Sequence, residues 1–177
     1  MAQNTDLDPQ AVQGISHDTP AKNTTQIRFY HLGAHDRLEK ILSTLLKKSL
    51  QRDWKSHILC QDEQACERLC EQLWSLETNH FIAMGTKADG FEHRQMVWIS
   101  ELSDNINNAH VCFTINHAYP KSWDQFNLYC VLFNGSDSNL LNQTRFLWKT
   151  LDDAGYMISY WQHNNQTWQQ KASRNQP

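Results

Sequence analysis

Four residues with metal-ligand chemistry fall close together: His57, Cys60, Cys66 and Cys70. Their spacing lacks the paired Cys-x-x-Cys of common structural zinc sites, so no metal is expected and the thiols read as small buried or semi-buried residues. Phosphate chemistry would sit at the first strand-to-helix turn, Leu32-Gly33-Ala34-His35-Asp36. A loop that cradles phosphates needs several glycines, and its nucleotide-hydrolysing form ends in Gly-Lys-Ser/Thr. Neither feature is present, and no cofactor is expected. Acids and histidines are otherwise scattered, Asp36, His57, His93, His110 and His117 among them. No local pattern pairs a nucleophile with a base and an oxyanion donor. Catalytic groups that meet only on folding stay open on this reading. The sequence therefore points away from an enzyme, with a nucleotide-binding or hydrolytic protein on a similar sheet as the alternative.

The elements that must position these residues read as alternating strands and helices. The β-favouring Ile27, Phe29 and Tyr30 precede Gly33 and a candidate helix cap, Asp36. From Asp36 to Leu50, Leu38, Ile41, Leu42, Leu45 and Leu46 recur at helical spacing with lysines between them. Residues 56–60 read as a short buried strand, and Asp62 is placed to cap a second helix carrying Ala65, Leu69, Leu73 and Leu76. Strand candidates follow at 80–84, 96–99, 110–115 and 127–133, and a last long helix covers about 138–154. Gly155 is placed to end that helix, and residues 156–161 return as a final strand. The prediction is an α/β fold: a single domain with a mostly parallel sheet flanked by helices. Residues 1–25, rich in Gln, Asn, Asp and Thr without an aromatic, read as a disordered N-terminal extension to a domain at 26–162. Residues 163–177 read as a polar C-terminal tail that frays, although Trp168 could dock locally.

Composition narrows the function classes. A chain of 177 residues with 40% hydrophobic content, seven Trp and seven Phe can bury a real core as one domain. A formal charge of −3 argues against holding nucleic acid through a broad basic face, so any basic site is local and no strong direct DNA binding is expected. Five cysteines and no charged-then-apolar signal sequence at the start suggest free thiols in a reducing cytoplasm. The longest apolar runs are far short of the roughly 20 residues that cross a bilayer, and no membrane association is expected.

Several local phrases, in order and at matching intervals, carry a resemblance. They are Phe-Tyr-His-Leu at 29–32, Cys-Gln-Asp-Glu-Gln-Ala at 60–65, and Glu-Gln-Leu-Trp at 71–74 followed by Phe81. Arg145-x-x-Trp148-Lys149 and Ala154-Gly155-Tyr156 complete the set. Together they resemble the chi subunit family of bacterial DNA polymerase III, a clamp-loader accessory subunit, over about residues 26–171. The resemblance implies a nucleotide-hydrolase-like topology without a phosphate loop and no intrinsic activity within the polymerase holoenzyme. It also implies a replisome adaptor in the cytoplasm, nucleoid-associated through the replisome. Such an adaptor links the psi subunit and the clamp loader to the acidic C-terminal tail of single-stranded-DNA-binding protein.

For the tail, the resemblance points to Arg145, Trp148 and Lys149, with Val131 and Phe133 extending the pocket. Spacing places the first three at i, i+3 and i+4 on one helix face. An ideal wheel gathers Leu140, Leu147, Leu151 and Ala154 roughly opposite Arg145. A guanidinium that grips a carboxylate, a mobile lysine charge and an indole wall suit an acidic peptide ending in an aromatic residue. Trp148 stands where family members often carry tyrosine, and Asp152 where a further basic residue can occur, which bears on geometry and local charge. The same residues also suit a plainer reading, with Arg145 and Lys149 solvated and Trp148 partly in the core. For psi, the resemblance points to Trp74, which falls well away from the apolar stripe of its helix, and to Phe81. The plainer reading makes Trp74 a loop-packing residue and Phe81 a core strand residue.

Overall fold

The computed structural model describes residues 24–76, 82–164 and 167–176. The chain runs β1 (Gln26–Leu32), α1 (Leu38–Leu50), β2 (Ser56–Leu59), α2 (Glu63–Leu76), β3 (Met84–Gly85), β4 (Val97–Ser100) and β5 (Val111–Ile115). It continues with β6 (Leu128–Asn134), α3 (Ser138–Asp153), β7 (Met157–Asn164) and β8 (Thr167–Arg174). Among the described residues these strands form one sheet in the order β3-β4-β2-β5-β6-β1-β7-β8, parallel except for the β7–β8 hairpin. The α/β reading and the mostly parallel sheet hold. Both faces of the central strands are covered, which is why β2, β4 and β5 are buried at every position rather than alternating between core and solvent.

Each face has its own core. On one, Leu42 and Leu46 of α1 and Leu69 and Leu73 of α2 bury Tyr30, Ile58, Phe113 and Leu132. On the other, Leu151 of α3 lies in a cluster with Ile27, Phe29, Tyr129, Val131, Phe133 and Ile158. Because strand side chains alternate, His57 falls on the α3 side and Cys60 on the α1–α2 side. The four-residue His/Cys group of the sequence is therefore divided by the sheet. Helix α3 carries the chain from β6 to β7 across β1, which pairs with both. Its start is fixed by Asp137, whose carboxylate accepts from the backbone N–H groups of Asn139 and Leu140. Gly155, at φ +81°, ends it in the left-handed conformation that glycine adopts without penalty.

Asp62 caps α2 as expected, accepting from the Ala65 N–H at 2.7 Å. Asp36 does not cap α1, which starts two residues later at Leu38 with Arg37 before it. The Asp36 carboxylate is used elsewhere: one oxygen accepts from the Gly33 N–H at 2.7 Å and the other meets His163 Nδ1 at 2.7 Å.

Residues 1–23, most of the expected N-terminal extension, lie outside the described residues, but Thr25 is fully buried and its hydroxyl donates to the Phe126 carbonyl. At the other end the final strand does not stop at Trp161. It runs to Asn164, and Thr167–Arg174 folds back on it, so the described part of the expected tail is an edge strand. Trp168 anchors it with an edge-on contact to Tyr30 at 4.8 Å. An edge strand open to water on its outer side needs little apolar content and benefits from charges such as Lys171, so its polarity resembles that of a fraying end. No helix of the described residues is long and apolar enough to cross a membrane.

Candidate functional site

A notch of about 290 Å³ opens between α3 and the C-terminal ends of β1, β6 and β7. Its floor is His31, Phe133 and Tyr160, and its α3 wall is Leu141, Thr144, Arg145 and Trp148. The strand register brings the floor together, since His31 pairs with Phe133 and Phe29 with Tyr160. Alternation then turns Phe29, His31, Phe133 and Tyr160 to one face. The rings form a continuous aromatic surface: His31–Phe133 at 5.3 Å, Phe133–Tyr160 at 6.3 Å and Trp148–Tyr160 at 6.2 Å between centroids. Trp148 leans on Phe29 at 5.3 Å, which holds the indole as a wall.

Two devices fix the floor. The Tyr160 hydroxyl and His31 Nδ1 are hydrogen-bonded to each other. On its other side the imidazole lies against the bare Cα of Gly135, where a Cβ would come 1.5 Å from Nε2. Burial holds His31 below the usual histidine range, against the opposing pull of Asp36, so the ring tends to be neutral. Burial also raises the Tyr160 phenol, partly offset by the positive charge of Arg145. The floor is thus aromatic and uncharged at neutral pH, and Arg145 supplies the positive charge on the notch's own wall. Arg145 is exposed, and no carboxylate of the described residues lies within ion-pair distance of it.

The buried face of α3 differs from the wheel. Thr144 and Leu151 are its buried residues, with Leu141, Leu147, Trp148 and Ala154 packed beside them. Arg145 therefore flanks this stripe instead of lying opposite it, and Trp148 belongs to the margin of the core and to the notch at once. Thr144 escapes a hydrophobicity pattern because its hydroxyl donates to the Leu140 carbonyl within the helix, leaving its methyl for packing. Of the other expected site residues, Phe133 lines the notch, Val131 lies one pleat deeper in the core, and Lys149 is exposed on α3 without lining it. Asp152, whose charge bears on the helix, is held by Arg174 of β8 at 3.8 Å and by Asn175.

Sequence reasoning missed His31, Tyr160, Leu141 and Thr144. The signal for His31 was available in the two-residue alternation with Phe29, but Tyr160 needed the β1–β7 register. Trp74 is 50% exposed near the end of α2, as its place on the wheel predicts. Phe81 lies outside the described residues, so its placement beside Trp74 is not described.

Comparison with known proteins gives two matches. The model of the family described as DNA polymerase III chi subunit, HolC, matches residues 24–159. A probable DNA polymerase III subunit chi of Rickettsia prowazekii (strain Madrid E) is 33% identical over 91 residues. That stretch covers 51% of this chain and 54% of the relative, so the chain spans about half the length of the relative it matches.

Proposed function

The chain belongs to the DNA polymerase III chi subunit family, and from that premise we propose that it serves DNA replication as a non-catalytic adaptor. On this reading the α3 notch captures the acidic C-terminal tail of single-stranded-DNA-binding protein, while a second surface around Trp74 holds the psi subunit and through it the clamp loader. One observation carries the proposal: an exposed guanidinium, free of carboxylate partners among the described residues, stands at an uncharged aromatic notch open to solvent. A peptide whose last residue is aromatic places its ring between Trp148, Phe133 and Tyr160. Its terminal carboxylate then meets Arg145, and Lys149 attracts the acidic residues that precede it.

The test is a titration of the chain with an acidic tail peptide, with and without its terminal aromatic. Arg145→Ala should weaken binding by about 1–3 kcal/mol, the scale of a lost charge-assisted hydrogen bond. Lys149→Ala should cost no more than about 1 kcal/mol, as befits an exposed charge beside the notch. Equal affinity of the Arg145 variant and the unaltered chain would remove the site. For the second surface, Trp74→Ala should reduce co-purification with psi and leave peptide affinity unchanged. Loss of thermal stability together with both partners would instead make Trp74 a packing residue.

A further inference from the structure

On the opposite face and at the opposite end of the sheet lies a second groove, of about 230 Å³. It sits under the last turn of α1, over the N-terminal halves of β1, β5 and β6, where α1 leaves the sheet uncovered. Arg28, Lys48 and Arg52 line it together with Trp54, Trp161 and Trp168, and no acidic side chain does. Lys48 and Arg52 are exposed and Arg28 is half-buried. Arg28 donates to the Gln26 side-chain carbonyl, and none of the three has an ion pair with the described residues. In a chain of formal charge −3 this concentration of uncompensated cations is local.

The cations stand among flat groups. The Arg52 guanidinium lies 5.5 Å from the Trp54 ring centre, and Trp54 stacks on the exposed His110 with planes 9° apart. We propose that this groove holds a short stretch of single-stranded nucleic acid, with Arg28, Lys48 and Arg52 on its phosphates and a base against the Trp54 and Trp168 rings. Charge complementarity favours a polyanion. The flat rings distinguish a strand with exposed bases from an acidic polypeptide, whose carboxylates use the cations alone. The volume is below the roughly 300 Å³ at which pockets for drug-sized ligands begin, so one base enters and the backbone stays at the rim. Three cations make this a modest, salt-sensitive contact, consistent with the lack of a broad basic face. The groove and the α3 notch share no lining residue and open at opposite ends of the strands, so both can be occupied together.

The experiment titrates a fluorescently labelled oligothymidylate with the full chain at low salt and repeats the titration with increasing salt. Binding should fall with a log–log slope of about −2, as expected for roughly three single-strand phosphates. The double variant Arg28→Ala/Arg52→Ala should bind at least tenfold more weakly, and Trp54→Ala about tenfold, with affinity for the acidic tail peptide unchanged in both. Should Trp54→Ala fail to fold, Lys48→Glu on the exposed surface tests the same contact. No binding by the unaltered chain, or binding indifferent to these substitutions, overturns the proposal. It is equally overturned if polyglutamate competes as well as the oligonucleotide, which assigns the groove to an acidic protein segment. A concentration-dependent dimer lost in the Arg28→Ala/Arg52→Ala variant would assign it to a second copy of this chain. Loss of tail-peptide binding at Arg145→Ala with oligonucleotide binding retained separates this groove from the notch.

Discussion

Gly135 has no side chain because the His31 imidazole occupies the space a Cβ would need. That ring is also tied to Tyr160 and packed on Phe133, so it has little freedom to retreat. Gly135→Ala should therefore destabilise the chain by about 1–3 kcal/mol, as overpacking does, and deform the notch floor. Urea unfolding and peptide titration read the two effects. Adding His31→Ala should restore most of the lost stability, because the clash disappears with the ring. If the double variant is no more stable than Gly135→Ala alone, the glycine is needed for some other reason. Arg145 works differently: it flanks the packed stripe and is free to meet an outside partner, so its replacement should act on binding and leave unfolding unchanged.

The β7–β8 hairpin is the element whose role the polar sequence hides. It covers the free edge of β7, and Trp168 closes against Tyr30 and against His163 at 4.8 Å. His163 in turn reaches Asp36, linking this last hairpin to the turn between β1 and α1. Trp168→Ala should cost roughly 2 kcal/mol, below the 3–5 kcal/mol of a fully buried aromatic because the indole is only half-buried. Hydrogen exchange of the β8 amides should accelerate in parallel. Exchange of those amides at unstructured rates in the unaltered chain would show that the strand does not pair as described. Helix α3 depends in a similar way on one residue outside it, since an N-cap such as Asp137 typically contributes about 1 kcal/mol.

For the molecule as a whole, acid is the condition that should discriminate most. His57 is fully buried against Phe126, and burial pushes its imidazole down to about 4, outweighing the opposing effect of a Leu102 backbone group. The unfolded chain takes up this proton near pH 6.5, the folded chain only near 4. Stability is therefore present above pH 6.5 and declines as pH falls through the window between the two. Between pH 7 and pH 5 the decline from this residue amounts to about 2 kcal/mol. His31 and His117, also held low by burial, act in the same direction. Urea unfolding at the two pH values measures the sum, and His57→Leu should remove the His57 share; an unchanged pH dependence would mean that the folded protein accommodates the charged ring.

The sequence by itself determined the alternation of strands and helices, the caps at Asp62 and Gly155, and the exposure of Trp74. Those features depend on neighbours a few residues away, through helical periodicity, capping chemistry and glycine's access to positive φ. It also placed Arg145 and Trp148 on one stretch of α3, because i and i+3 meet on any helix. Only the tertiary structure decided that His31 and Tyr160 make the floor, since that requires the β1–β7 register across more than a hundred residues of chain. It likewise moved Val131 into the core and left Lys149 outside the notch, because the angle at which α3 lies on the sheet comes from packing. Periodicity ranks the faces of an element by polarity; it does not say which neighbour covers each face, and the notch is a gap between such neighbours.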